Sequence, residues 1–498
     1  MIDNILKQID QEAQAHPNRI AFDHLGQTNT YQELADWSSR VASAIQRLDL
    51  NHDVPIMVYG GQTFDMLVAF LGAVKAGHAY IPVDVHSSEQ RLQTIIEAAQ
   101  PGFIICVEPL PIETAVPQLS LTELHEVYHS FPIKQGEDSL HLNDNFYIIF
   151  TSGTTGKPKG VQISHCNLLS FVNWMKYDFN FEEKNVLLQP SFSFDLSVMA
   201  IYPTLTSGGT LKVLPKETTD NFMSLFSVLP KLALDTWIST PSLIDICLMD
   251  QNFNPQNYPQ LATFLFCGEE LTHATASKLK QRFPAAHIYN TYGPTETTVA
   301  VTSVEITDDI LAKYARLPIG YVKPETTIFV KSHRNKKGEL LIAGPNVSKG
   351  YLHNQAKTEA AFFDISGVRV YRSGDLGYFE GKLLFYTGRS DFQIKLNGYR
   401  IELEEINHYL SEIPFVKQGV AVPKYDQQGK VKQLIGTVVL KQSAGDELTA
   451  THRVKQALSK LVMPYMIPQR FKYYQKLPLS ANGKVDIKAL ITAVNAHD

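Results

Sequence analysis

At 498 residues the chain is too long for one ordinary core, so two or more lobes are expected. Its 44% hydrophobic and 19% charged residues give the composition of a soluble globular protein. A net charge of −5, with no motif mixing aromatic and basic residues, gives little support to nucleic-acid binding.

The first residues, Met1-Ile-Asp-Asn-Ile-Leu-Lys7, lack a basic region followed by an apolar run, so no secretory signal is expected. Thr30-Tyr-Gln-Glu-Leu34 opens an amphipathic helix in which Leu34, Val41, Ala42, Ile45 and Leu48 fall at helical spacing. Val54-Pro-Ile-Met-Val-Tyr59 reads as a buried strand, and Phe64 to Ala76 as a helix. The longest apolar stretch, Met66 to Val83, is broken by Lys75 and His78, which suits a packed helix and strand and not a membrane span. Tyr80-Ile-Pro-Val-Asp84 and Gly102-Phe-Ile-Ile-Cys-Val107 follow as further short apolar runs. Cys106, Cys166, Cys247 and Cys267 form no CxxC pair, which argues against a zinc site or a disulfide framework and fits a reducing cytoplasm.

The alternation continues through Tyr147-Ile-Ile-Phe150, Leu261 to Phe266 and His287-Ile-Tyr289, implying a largely parallel sheet covered on both faces. Beyond Ile319 the strands become shorter and separated by turns: Gly338 to Gly344, Val368 to Tyr371 and Leu383 to Tyr386. The expected fold is α/β, with a large N-terminal lobe of layered sheets and a short-stranded β subdomain over 1–390. A small α+β lobe follows over 391–498. From Phe392 onward there are 15 Lys and Arg against 9 Asp and Glu, while the rest of the chain has 30 against 41. A basic lobe on an acidic one suits an acidic partner, although a solvated surface explains the same numbers.

Tyr147 to Phe150 runs straight into Thr151-Ser-Gly-Thr-Thr-Gly-Lys-Pro-Lys-Gly160. Its glycines let the backbone approach an anion, its hydroxyls donate hydrogen bonds, and Lys157 and Lys159 bring positive charge. The spacing is not that of a Walker A loop, and Pro158 disfavours helical geometry at Lys157. A loop of this kind is expected to be flexible and to handle phosphates.

This loop resembles the signature of the adenylate-forming superfamily: acyl-CoA synthetases, luciferases and the adenylation domains of peptide synthetases. The other motifs of that superfamily follow in order, from Thr30-Tyr31 to Gly483-Lys484. The resemblance implies an enzyme that uses ATP and Mg²⁺ to activate a carboxylic acid. It assigns Thr151, Ser152, Gly153, Thr154, Thr155, Gly156 and Lys157 to the phosphates. Asn290-Thr291-Tyr292-Gly293-Pro294-Thr295 falls to the adenine side, with Tyr292 offering a ring face and Glu296 a carboxylate for the metal. Alone, that segment reads as a Gly-Pro turn with a solvated glutamate. Asp375 corresponds to the ribose ligand, Arg389 to a second nucleotide contact, and Asp391 to a hinge between lobes. Arg400 is a candidate phosphate contact or else a surface ion pair. Lys484, beside the Asn482-Gly483 turn, corresponds to the lysine that bridges the substrate carboxylate and the α-phosphate.

Phe192-Ser-Phe-Asp-Leu-Ser197 matches the segment in which amino-acid-activating members bind the substrate ammonium through an aspartate, here Asp195. Its plain alternative is a helix N-cap. Cys267, followed by Gly268, stands where alanine or glycine is usual. With Leu196, Met199, Thr291 and Val299 it suggests a narrow apolar pocket for a very small side chain. A core cysteine is the alternative. The combination resembles the D-alanine-activating branch of the superfamily. That implies transfer of D-alanine to an acidic phosphopantetheinylated carrier protein, for D-alanylation of teichoic acid. Rival readings are a stand-alone enzyme for glycine or L-alanine, a short-chain acyl-CoA synthetase, and a nucleotide-binding regulator.

Overall fold

Strands arise where the sequence concentrates buried β-branched and aromatic residues. Ile56–Gly60 is buried at every position, as a central parallel strand covered on both faces must be. It lies within a six-stranded sheet ordered Gln118–Ser120, Phe103–Cys106, Ile56–Gly60, Tyr80–Asp84, Asn145–Thr151 and Lys159–Ser164. The computed structural model describes residues 1–133, 140–152, 158–332, 337–426, 429–441, 446–479 and 485–496.

Contacts divide the chain into two units. The first comprises Met1–Val85, Ala99–Ile149 and Gly160–Ser390. The second comprises Asp391–Asp498 together with two short earlier segments, His86–Ala98 and Phe150–Lys159.

In the first unit, a nine-stranded sheet carries Thr236–Ser239, Thr263–Phe266 and His287–Tyr292 as parallel neighbours, and Thr302–Glu305 pairs antiparallel beside them. Helix Tyr31–Gln46 starts on a capping box of Thr30 and Glu33. Leu48, expected in that helix, lies beyond its end and is exposed, because the helix stops at Gln46. Helix Phe64–Lys75 is buried all round, and a Cβ at Gly72 would meet Val41 Cγ1 at 2.5 Å, so glycine permits the close helix contact. Lys75 pairs with Asp10 at 2.8 Å, which compensates the charge inside this apolar stretch. The β subdomain has five antiparallel strands. Its longest, Val368–Glu380, runs 13 residues through Ser373-Gly374-Asp375, which sequence alone would read as a turn.

In the second unit, the hairpin Gln393–Leu396 and Tyr399–Glu402 leads into helix Leu403–Glu412. Three strands, Val416–Tyr425, Val431–Leu440 and Arg470–Tyr473, pack with helices Glu447–Leu458 and Ile487–Asn495. Ile401, Ile406, Leu410, Val438, Val454 and Met466 share its core. All four cysteines are free thiols, with Cys106, Cys247 and Cys267 buried. Among the described residues no helix is long and apolar enough to cross a membrane.

Candidate active site

Strand His287–Tyr292 delivers Asn290, Thr291 and Tyr292 to one end of the nine-stranded sheet, all three buried. Asn290 Nδ2 donates to Pro318 O at 2.7 Å, and Thr291 Oγ1 donates to Phe266 O at 2.9 Å. Tyr292 Oη donates to Asp375 Oδ2 at 2.6 Å, while Arg389 Nη1 donates to Asp375 Oδ1 at 2.7 Å. The antiparallel pairing sets Asp375 directly opposite Arg389. Three residues distant in sequence thus meet around one buried carboxylate. Burial, followed by the charge of Asp375, raises the Tyr292 hydroxyl well above its usual range, so it stays a donor. A carboxylate has about four acceptor positions, which leaves capacity for further donors such as vicinal hydroxyls.

After Gly293-Pro294 the chain makes a short 3-10 turn, Thr295–Thr297. Glu296 within it is fully buried, and Tyr351 Oη donates to its Oε1 at 2.9 Å. No local spacing connects Tyr351 to Glu296, so the sequence carries no signal for this pairing. Among the described residues no group of three or more His, Cys, Asp or Glu is arranged to hold a metal ion. A single oriented carboxylate still fits Mg²⁺, which is commonly held by one or two carboxylates plus substrate phosphates.

The residues expected to line an apolar pocket are buried in the large core of the first unit. Leu196, Met199, Cys267 and Val299 belong to one buried cluster. Cys267 Sγ lies 3.8 Å from Val299 O. Gly268 takes φ +89°, turning the chain just after the cysteine. Asp195 is buried at the start of helix Leu196–Leu205, yet its side chain makes no capping bond to that helix. Asp195 thus occupies the N-cap position without the side-chain bond that a capping aspartate usually makes. After burial itself, the charge of Asp195 is the main influence raising the hydroxyl of buried Tyr147.

The ends of the phosphate loop belong to the second unit. Ser152 Oγ donates to Arg400 O at 2.8 Å, and Lys159 pairs with Glu402 at 3.9 Å. Strand Lys159–Ser164 follows the loop, in keeping with Pro158 opposing a helix there. Gly153, Thr154, Thr155, Gly156, Lys157 and Lys484 lie outside the described residues. Leu479 and Val485, on either side of Lys484, form an antiparallel bridge. Asp391 Oδ1 accepts from Gln393 N at 3.2 Å.

The profile of the AMP-binding enzymes matches residues 9–352. The chain belongs to the AMP-binding enzyme family. Over 99% of its length it is 54% identical to the D-alanine--D-alanyl carrier protein ligase of Lacticaseibacillus paracasei, all of which is covered. The ligase of the same name from Streptococcus equi is 46% identical, with 99% of this chain and all of that one covered. Among solved structures, the Vibrio cholerae adenylation domain AlmE in complex with glycyl-adenosine-5'-phosphate superposes with a TM-score of 0.82. That match covers 99% of this chain and 98% of the other at 24% identity, so it speaks for the fold alone. In this AMP-binding enzyme Tyr292 and Arg389 meet at the Asp375 carboxylate, and Cys267 lies against Val299 O.

Proposed function

We infer that this chain is a ligase that activates D-alanine and passes it to a carrier protein. The observation that carries this reading is the full-length likeness to ligases of that name. The contact of Cys267 with Val299 O supports it, with Leu196 and Met199 buried in the same core, because a pocket lined by these residues would suit only a very small side chain.

The reaction has two halves. A carboxylate oxygen of D-alanine attacks the α-phosphorus of ATP, forming D-alanyl-adenylate and releasing pyrophosphate. The phosphopantetheine thiolate of the carrier then attacks the acyl carbon, and AMP leaves. Asp195 binds the substrate ammonium, while Asp375 accepts from the ribose hydroxyls and Arg389 holds it in place. Tyr292 and Asn290 flank the adenine. Thr151 to Lys157 hold the outer phosphates. Lys484 offsets the repulsion between the attacking carboxylate and the triphosphate. Glu296 would hold Mg²⁺, which would supply charge neutralisation at the phosphates. Asp391 serves as the hinge that withdraws Lys484 before the thiol arrives, and Arg400 contacts phosphate. The excess of basic residues after Asp391 suits an acidic carrier, and the D-alanine is destined for teichoic acid. The enzyme works in the cytoplasm.

Pyrophosphate exchange with D-alanine, L-alanine, glycine and acetate, each alone, tests the substrate. Exchange dependent on D-alanine is expected, and preference for another acid overturns the assignment. Lys484→Ala should abolish exchange yet still transfer from supplied D-alanyl-adenylate. Equal loss of both steps contradicts that division.

A further inference from the structure

The turn that bears Glu296 ends in two successive β-branched residues with left-handed backbone, Thr298 at φ +61° and Val299 at φ +67°. Such residues avoid this region, so each is strained. The surroundings must therefore over-determine the turn.

They do so through a second turn, Gly344 to Ser348. Thr298 Oγ1 donates to Asn346 O at 2.8 Å, and Ser348 N donates to Glu296 O at 2.9 Å. This second turn is held in its own right by helix His165–Asp178. Asn167 Nδ2 donates to Pro345 O at 2.6 Å and to Val347 O at 3.0 Å. Both amide hydrogens of one side chain thus serve carbonyls two residues apart. One turn further along the same helix, Ser170 Oγ accepts from Lys323 Nζ at 2.7 Å. Lys323 N in turn donates to Val301 O at 2.9 Å. Two side chains of one helix brace both flanks of the strained segment.

We propose that Asn167 is a positioning residue for selection of the activated acid. It acts by fixing the Gly344–Ser348 turn, which holds Thr298 and Val299 in their strained conformation and so sets Val299 O against Cys267 Sγ. This rests on the function proposed above, since it treats the Cys267–Val299 wall as the side-chain pocket. A simpler role is available: Asn167 also completes a capping box, its Oδ1 accepting from Ser164 N at 2.9 Å. The two roles separate chemically. Asn167→Asp retains the capping acceptor and removes both donated bonds. Thr298→Val removes the bond to Asn346 from the other end while keeping the side-chain shape, and it introduces no charge.

The experiment measures pyrophosphate exchange of the full chain with D-alanine, L-alanine and glycine for the wild type and both variants, alongside thermal melting. Positioning predicts that the ratio of kcat/KM for the preferred acid over its competitors falls about tenfold or more, while KM for ATP changes far less. A variant that melts earlier but keeps the wild-type ratio overturns the proposal and leaves Asn167 a helix cap. Should Asn167→Asp not fold, Thr298→Val decides by the same ratio. If the wild type prefers an acid other than D-alanine, the assigned substrate is wrong. The ratio is then read from the acid it does prefer, so the two failures remain distinct.

Discussion

Gly293→Ala probes how closely the pocket wall is built. Gly293 lies outside the positive-φ region, so the change acts through space and not through a forbidden conformation. A Cβ there would lie 2.6 Å from Ala300 Cα, 2.8 Å from Val299 O and 3.0 Å from Ala300 N. Ordinary contact begins at 3.4 Å, so a shift of about 0.8 Å is required. All three atoms are backbone and cannot rotate aside as a side-chain tip can. The 299–300 segment must move, and with it the carbonyl that lies 3.8 Å from Cys267 Sγ. Overpacking of this kind costs about 1–3 kcal/mol, and a displacement near 1 Å at a reacting centre costs about 10²-fold in rate. D-Alanine-dependent pyrophosphate exchange should therefore drop by about two orders of magnitude in kcat/KM, with a lowered thermal midpoint. Exchange within about threefold of wild type, at an unchanged midpoint, would refute the view that this wall is rigid and tightly fitted.

Cys267→Ala should widen the pocket by one sulfur and relax the preference for D- over L-alanine by about 10- to 200-fold, measured by exchange with each enantiomer. An unchanged ratio counts against the cysteine as a steric selector. Burial lowers the pKa of His165 to about 4, below its usual 6.5, so the folded protein keeps the ring neutral while the unfolded chain protonates it. Stability should therefore fall between pH 6.5 and 4, by about 3 kcal/mol at the lower end, and His165→Gln should flatten that slope in melting curves taken across this range. Parallel curves for the two proteins would dispose of the idea. Burial likewise lowers Lys323 to about 8 from 10.5, so below pH 8 the folded state carries the full cost of a desolvated charge. Wild-type stability should rise as pH increases from 8 toward 10.5, and any gain from Lys323→Met at pH 7 should shrink over that window. A gain constant with pH would point to packing in place of charge.

Sequence alone determined the reaction class, because the groups that handle phosphate sit in short contiguous segments such as Thr151 to Gly160 and Asn290 to Glu296. The elements near them were legible for a related reason: apolar periodicity and caps such as Thr30 with Glu33 act over a few residues. Where local and global preferences conflict, the sequence misleads. Ser373-Gly374-Asp375 reads as a turn yet lies inside a strand as a bulge: Gly374 takes φ +70°, and the flanking pairs Arg372–Leu341 and Leu376–Glu339 carry the strand across it. Only the tertiary structure decided how the site is held. Tyr351 meets Glu296 across 55 positions, Tyr292 meets Asp375 across 83, and Asn167 meets Val347 across 180. No spacing rule encodes such bonds, since a buried donor takes whichever acceptor the fold brings to it. Thr298 and Val299 make the point most sharply. Their side chains argue against the conformation they adopt, and only bonds from remote parts of the chain can keep them in it.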